Sequence, residues 1–430
     1  MADGHPPHGS AADPGIDDSR TALGRDVPRP RIVAFAFNCE PGGGSEGGAG
    51  WVWLRLLARI GSVTMLVAPS PAADKLDAAI RALPPDEAAR ITVEIVDHPK
   101  ALRRPFAANR WPPLWYVEYT VWQIRALRRA RALNREHKFD LAWHLTWANA
   151  WFGTLAASIG PDFVLGPVGG GVGMPWRLVA VVGVRGAIGE VVRSSARTAG
   201  RWLNPIARHA IRRARLILVQ NPETRSWLPA DRRSVAVVFP HVVLEHLPVL
   251  DHGQRTGRRT ALFAGRLYGW KGGALAIQAI AHLPGHRLIV CGEGPDEARL
   301  RGIAERLGIA DRIEFRGLVE RAELLRTMAV DASVFLFPSL HDEGGWVVAE
   351  ARAHGLPVVC LDRGGPPVLG GIGVPATWPS ATARRLAVAV EAAEGAEPAR
   401  SEIRDLDRAT PEVAAVLERS GVWPVAERQT

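Results

Sequence analysis

The sequence predicts an α/β protein built from two doubly wound domains, and three observations predict it. Short β-rich apolar runs alternate with longer helical patterns along both halves of the chain, which is the signature of parallel sheets covered by helices. At 430 residues the chain exceeds one ordinary domain, and a domain size of roughly 150 to 200 residues gives two or three, of which two is simpler. A hydrophobic fraction of 47% against a charged fraction of 23% supplies apolar material for a core in each half.

In the first half the runs at 32–37, 63–68, 91–96, 141–145, 163–166, 216–219 and 235–239 read as strands, with helical patterns between them, notably at 51–59 and 116–137. Residues 244–259 are short, polar and turn-rich, with Pro248, Gly253 and Gly257, and a new strand pattern follows at once. The domain boundary is expected there. The second half reads 261–264, 286–291, 312–315, 333–337 and 357–361 as strands, with helices near 274–282, 296–307, 321–329 and 347–354. From Trp378 onward the pattern is helical, without strands. The expected organisation is a tail without order (1–29), a first domain (30–243), a linker (244–259), a second domain (260–377) and C-terminal helices packing back across both (378–430).

Composition excludes several classes. The net charge of +9 is carried almost entirely by arginine, with lysine only at Lys75, Lys100, Lys138 and Lys271; composition alone does not separate coding bias from functional demand. Cys39, Cys291 and Cys360 stand far apart in apolar runs without a CxxC pair, so they read as small buried hydrophobes in a reducing compartment. Neither a disulfide nor a zinc site is expected. Residues 1–29 contain no continuous apolar stretch, which argues against a secretory signal. The apolar segment 178–192 is interrupted by Arg185, Gly186 and Gly189 and falls short of the ~20 residues that cross a bilayer. A cytoplasmic protein is expected, with at most peripheral contact at the inner face of the plasma membrane.

In open parallel sheets ligands bind beyond the carboxyl ends of the strands, where loop amides and helix N-termini converge. After the first strand of the second half comes Gly265-Arg266-Leu267-Tyr268-Gly269-Trp270-Lys271-Gly272. A glycine turn, an arginine and a lysine entering a helix make a cationic socket for a diphosphate; the bland reading is a solvated turn with two surface cations. After the run at 333–337 comes Ser339-Leu340-His341-Asp342-Glu343-Gly344-Gly345-Trp346, leading into a helix that carries Glu350. Carboxylates and free amides at a helix start can hold sugar hydroxyls, though acids there are also ordinary caps.

These segments carry a resemblance. GRLYGWKG, VCGEGPDEARLRGIAERLGIADRIEFRG and LFPSLHDEGGWVVAEARAHGLPVV resemble the retaining bacterial glycosyltransferases of family 4, and the likeness runs from Ile32 to about Gly371. The resemblance implies the GT-B fold, two Rossmann-like domains facing a central cleft, with the acceptor on the first and a nucleotide-diphosphate sugar on the second. It implies that Arg266 and Lys271 bind the donor diphosphate and that Glu350, the second glutamate of an E-x7-E pair, reaches the ribose. Eight positions before Glu350 stands Asp342 where the family carries glutamate, so Asp342 by register, or Glu343 beside it, contacts the donor sugar. Gly344 and Gly345 offer amides to sugar or phosphate, while Glu293 and Arg316 lie in loops that surround base and ribose.

In the first half, the glycine-rich loop containing Gly43 and Gly44 follows the first strand, so its backbone can approach a phosphate or acceptor; a flexible turn is the alternative. His144 ends the run 140–144, where the family carries a histidine facing the donor sugar, and the alternative is a hydrogen-bonded core histidine. Gly166-Pro167-Val168-Gly169-Gly170-Gly171 resembles a loop that borders the acceptor or sugar site.

The mechanism implied is front-face transfer with retention, catalysed by Arg266, Lys271, His144 and Asp342, with no cofactor beyond the donor, for which UDP is the favoured nucleotide. No metal is expected, since the only Asp-x-Asp triplet, Asp405-Leu406-Asp407, lies in the helical tail. Two stretches, 100–135 and 177–215, are arginine-rich. The former interleaves Arg103, Arg104, Arg110, Arg125, Arg128, Arg129 and Arg131 with Trp111, Trp115, Tyr116, Tyr119 and Trp122. That mixture suits an anionic membrane and a lipid-linked acceptor, or else a solvated arginine face over core aromatics; a sugar or a small natural product remains open as acceptor. Nucleic acid fits poorly, because no recognition motif accompanies the charge. The competing functions are a nucleotide-sugar epimerase of the same shape and a non-catalytic nucleotide-sugar-binding or membrane-associated assembly partner.

Overall fold

A computed structural model of the chain describes residues 29–99, 112–147, 149–249, 257–396 and 400–422. The expected tail lies outside them apart from Arg29, as do Lys100, Arg103, Arg104, Arg110, Trp111 and linker residues 250–256.

Two parallel sheets organise the described chain. The first holds β1 (Arg31–Ala36), β2 (Ser62–Val67), β3 (Ile91–Ile95), β4 (Leu141–Thr146), β5 (Asp162–Val168), β6 (Leu216–Val219) and β7 (Ala236–Val238), in the order β3-β2-β1-β4-β5-β6-β7. The second holds β8 (Thr260–Ala264), β9 (Arg287–Cys291), β10 (Ile313–Gly317), β11 (Val334–Phe337), β12 (Val358–Leu361) and β13 (Ile372–Val374), in the order β10-β9-β8-β11-β12-β13. Strand order reverses between β1 and β4 and again between β8 and β11. At each reversal adjacent loops leave toward opposite faces and open a crevice, so the loops after those four strands decide where a ligand can sit.

The strand runs read as apolar because helices cover both faces. On one face of the first sheet, Trp53, Leu56 and Trp143 pack with Leu406, Val413 and Leu417 of the helix Leu406–Arg419. On the other, Tyr119 and Trp122 of the helix Pro112–His137 pack with Phe35 and Phe163. The second core centres on Phe263, Phe335 and Phe337, and the helix Pro379–Ala393 adds Leu386 and Val390 to it. The chain thus returns to its first core only in the last helix. Leu244 and Arg404, one on each passage between the sheets, are joined by a backbone hydrogen bond of 2.8 Å.

One strand was missed by pattern: β13 is three residues long and carries a glycine, and it exists through pairing with β12. The apolar segment near 178–192 is a 3-10 stretch, Trp176–Val182, followed by the helix Gly183–Leu203. Among the described residues no helix is long and apolar enough to cross a membrane. All three cysteines are free and buried; burial pushes the Cys291 thiol up to about 11 and Cys360 to about 12, and Cys39 is raised further for the same reason.

Candidate functional site

The loop after β8 turns through Gly269–Lys271 and enters the helix Gly273–Ala281. Gly272 sits between them at φ 81°, and a Cβ there would lie 2.0 Å from the Pro338 carbonyl oxygen. Only glycine lets this loop press against the one after β11. Lys271 Nζ meets Asp342 Oδ2 at 2.5 Å and lies 4.4 Å from the Trp270 ring centroid and 5.3 Å from that of Phe337. Two ring faces and a carboxylate therefore fix the ammonium. Arg266 is exposed and has no side-chain partner among the described residues.

Asp342 serves two elements at once. Oδ1 accepts the Gly345 amide at 2.9 Å, at the start of the helix Trp346–Ala353, while Oδ2 holds Lys271. Burial alone would raise its pKa, but the Lys271 charge and hydrogen bond, with the Gly345 amide, outweigh it and hold the carboxyl below its ordinary value. Glu350 is buried; its Oε1 accepts Arg321 Nε at 3.0 Å, Arg321 Nη2 at 2.6 Å and Trp346 Nε1 at 3.1 Å. Arg321 also reaches the Gly42 carbonyl at 2.8 Å and so links Glu350 to the glycine loop of the other half.

Glu343 points away from its neighbour's socket. Oε1 accepts the Val172 amide at 3.1 Å, and Oε2 accepts Asn221 Nδ2 at 3.0 Å and Thr224 Oγ1 at 3.1 Å. Its carboxylate is committed to the first half. Arg363 donates to the Gly173 carbonyl at 2.6 Å and Gly364 N to Glu223 at 2.8 Å, so the halves are joined at several points. A Cβ on Gly344 would stand 2.7 Å from both Gln220 Oε1 and the His241 ring, which explains glycine there. Glu293 accepts the Leu318 amide at 3.3 Å. Arg316 is held by Glu314 at 2.8 Å and Thr327 at 3.2 Å.

In the first half, Gly44 precedes the helix Ser45–Ile60 without a side-chain cap, and the Gly43 carbonyl accepts Arg321 at 3.5 Å. His144 lies inside β4, pairs with Phe35 and Leu165 and meets the Tyr119 hydroxyl at 3.3 Å. Burial lowers its pKa to about 4, only partly offset by a hydrogen bond to the Trp147 backbone. Glu46 Oε2 accepts the Trp147 amide at 3.1 Å, yet burial raises its pKa. Burial, and then Glu46, lift Tyr119 well above its ordinary value. This wall favours neutral forms.

Sequence reasoning missed His241, Gln220, Arg321 and the His341–Glu190 pair. His241 follows β7, and both its ring nitrogens are shielded and unpartnered; burial lowers its pKa to about 4 against the pull of Asp342. Glu190 meets His341 Nε2 at 2.5 Å, and His341 stacks on Trp270 at 4.7 Å. No local pattern marks any of these, since each partner is remote in sequence. The Asp-x-Asp triplet has structural work: Asp405 accepts the Arg408 amide at 3.0 Å as a helix cap, and Asp407 pairs with Arg59 at 2.7 Å. Among the described residues, no group of three or more His, Cys, Asp or Glu side chains could hold a metal ion.

Residues 251–402 match the family model of glycosyl transferases group 1. Over 174 residues the chain is 36% identical to D-inositol 3-phosphate glycosyltransferase of Mycobacterium marinum, covering 36% of either protein. Over 183 residues it is 34% identical to the enzyme of that name from Streptomyces bingchenggensis, covering 36% of this chain and 40% of the relative. The matches therefore span little more than a third of those relatives.

Solved structures are similar over nearly the whole chain. HepE of Anabaena, crystallised with UDP and glucose, superposes with a TM-score of 0.57 at 16% identity, covering 91% of this chain and 100% of its own. Sucrose-phosphate synthase of Thermosynechococcus elongatus gives 0.55 at 16% identity, covering 92% and 97%. The GT-B fold expected from the sequence, two Rossmann-like domains facing a cleft, is the fold of this chain. The matched segment contains Arg266, Lys271, Glu293, Arg316, Asp342, Glu343, Gly344, Gly345 and Glu350, whereas Gly43, Gly44 and His144 lie outside it.

Of the interleaved basic and aromatic residues, Tyr119 and Trp122 are fully buried, while Tyr116, Arg125, Arg128, Arg129 and Arg131 are exposed.

Proposed function

We propose that the chain is a glycosyltransferase that moves a sugar, with retention, from a nucleotide-diphosphate donor on the second sheet to an acceptor on the first. One observation carries this reading: the two cations Arg266 and Lys271 leave the carboxyl end of β8 beside the strand-order reversal, inside the segment that matches glycosyl transferases group 1. UDP is the favoured nucleotide, supported by its presence in the crystals of HepE. The acceptor class is a polysaccharide precursor, a lipid-linked sugar or a small natural product.

Breaking the donor's glycosidic bond puts negative charge on the leaving diphosphate. Fixed cations beside it stabilise the transition state without reorganising. Lys271 is already fixed by Asp342, Trp270 and Phe337, and Arg266 is free to swing onto the phosphates. The acceptor hydroxyl attacks from the leaving group's own face, and its proton passes to a departing phosphate oxygen. His144 and His241 are neutral at pH 7 and serve as hydrogen-bonding walls for the sugar. The contacts of Glu343 and Arg321 close the cleft and exclude water that would hydrolyse the donor. We propose that no metal takes part: the two cations supply the charge, and the Asp-x-Asp carboxylates are committed to a cap and an ion pair.

The test is a thermal-shift series with UDP, GDP and ADP, with and without magnesium, followed by analysis of the product's anomeric configuration. A nucleotide at a hundred times its Kd should add about 2.7 kcal/mol of stability. Lys271→Ala should lower transfer by about 100-fold or more while leaving the fold intact; near-normal transfer in that variant overturns the phosphate socket. Nucleotide binding with neither transfer nor donor hydrolysis across a broad acceptor panel would mark a non-catalytic binder instead.

A further inference from the structure

The helix Gly183–Leu203 is built inside out. At 100° per residue, Glu190, Arg193 and Arg197 fall on one side, and that side faces the protein. Glu190 is buried against His341 at 2.5 Å, Arg193 donates to the Val172 carbonyl at 2.9 Å, and Arg197 donates to that of Gly171 at 2.8 Å. The opposite side carries Val184, Ile188, Val191, Val192, Trp202 and Leu203, which occupy about a third of the circumference. These six are exposed by between 55% (Val191) and 79% (Val184). A cavity of about 590 Å³ opens at the C-terminal end of the helix, lined by Ser194, Ser195, Thr198, Ala199, Trp202 and Leu203. Contiguous apolar surface of this kind calls for a partner.

Charge selects the partner. From Trp176 to Arg215 the chain has nine arginines and a single carboxylate, Glu190, which is turned inward. Arg185 on this helix, and Arg177, Arg208 and Arg212 on the segments that precede and follow it, are exposed. A second copy of this chain docking symmetrically would bring those like charges together. An apolar stripe flanked by arginine and carrying a tryptophan suits an anionic lipid surface, where the stripe enters the acyl boundary and the guanidinium groups meet headgroup phosphates. The inner face of the helix is meanwhile tied to the donor loops, since His341 stacks on Trp270, next to Lys271.

We infer that the helix Gly183–Leu203 docks the protein on anionic membranes, outer stripe downward, with the loops that carry Trp270 and His341 held against its upper side. The inference needs neither donor nor acceptor, so its test is independent of the transferase reading. The full chain is sedimented with vesicles of phosphatidylcholine alone or mixed with phosphatidylglycerol, at low and high salt. The expected result is binding to the anionic vesicles that weakens as salt rises, and weak binding to phosphatidylcholine alone. Val184→Ser with Ile188→Ser, Val191→Ser and Val192→Ser should weaken anionic binding by about tenfold or more with an unchanged melting temperature, because all four side chains are exposed. Arg177→Gln with Arg185→Gln, Arg208→Gln and Arg212→Gln should do the same and remove the salt dependence. Absence of binding by the unaltered protein, or undiminished binding by the serine variant, overturns the inference. So does light scattering that shows a dimer converted to a monomer by the serine changes, which would assign the face to a second copy.

Discussion

The two walls of the cleft solve the same problem with opposite chemistry. The second-domain wall is charged: Lys271 and Asp342 form a 2.5 Å ion pair, Arg266 stands free, and Asp342 is held ionised. In the first-domain wall burial works against charge: His144 is lowered to about 4, and Glu46 and Tyr119 are raised. A diphosphate needs fixed positive charge, whereas a sugar hydroxyl needs hydrogen-bonding groups in a dry, shaped surface. The difference teaches that one wall is recognisable from residue types, while the other is made by depth.

The comparison breaks or sharpens under substitution. The largest effect is expected at Lys271→Ala, about 100-fold or more in kcat/KM, against only a few-fold for His144→Gln, which keeps a neutral hydrogen-bonding group. Equal losses measured on the two variants would end the distinction between a charged and a neutral wall. Next comes Glu343→Ala, which strands the Val172 amide, Asn221 and Thr224. A loss of about 2 kcal/mol in denaturant unfolding is expected, together with faster hydrolysis of donor by water. An unchanged midpoint would mean that the bridge contributes nothing to closure.

A third effect follows from pH. His144 and His241 have folded pKa values of about 4, below the ordinary 6.5, so the unfolded chain binds more protons between those values. Their contribution is complete above pH 6.5 and is lost as pH falls toward 4, roughly 3 kcal/mol for each histidine. Asp342, also depressed, keeps its contribution to still lower pH. Thermal melts of the His144→Gln/His241→Gln variant should be flatter than the parent between pH 6.5 and 4; parallel curves would contradict the assignment. The smallest effect is expected at Asp407→Asn, at most about 0.5 kcal/mol because the pair with Arg59 is largely exposed, with transfer unaltered. Loss of transfer there would revive a metal-dependent mechanism.

Much of this was legible in the residues. The strands were, because helices on both faces make them continuous apolar runs; β13 was not, because three residues and a glycine carry no such signal. Arg266, Lys271, Asp342 and Glu350 were singled out because ligands of open parallel sheets bind at strand-end loops. What stayed hidden were facts of packing between distant segments. His144 was placed at a strand end, but only the assembled sheet shows it inside β4 beneath Tyr119. Glu343 was the alternative to Asp342 for the sugar, and its three partners lie between 119 and 171 positions away. His241 follows a three-residue strand and gave no periodic cue.

Because the final helix rejoins the first core while the preceding one stays with the second, the polypeptide passes between the lobes twice, and the Leu244 to Arg404 bond zips the passages side by side. Two adjacent straps behave like a door hinge: they permit swinging about the line they share and resist shear or twist in other directions. The lobe that carries Lys271 would thereby return to the same register after each swing.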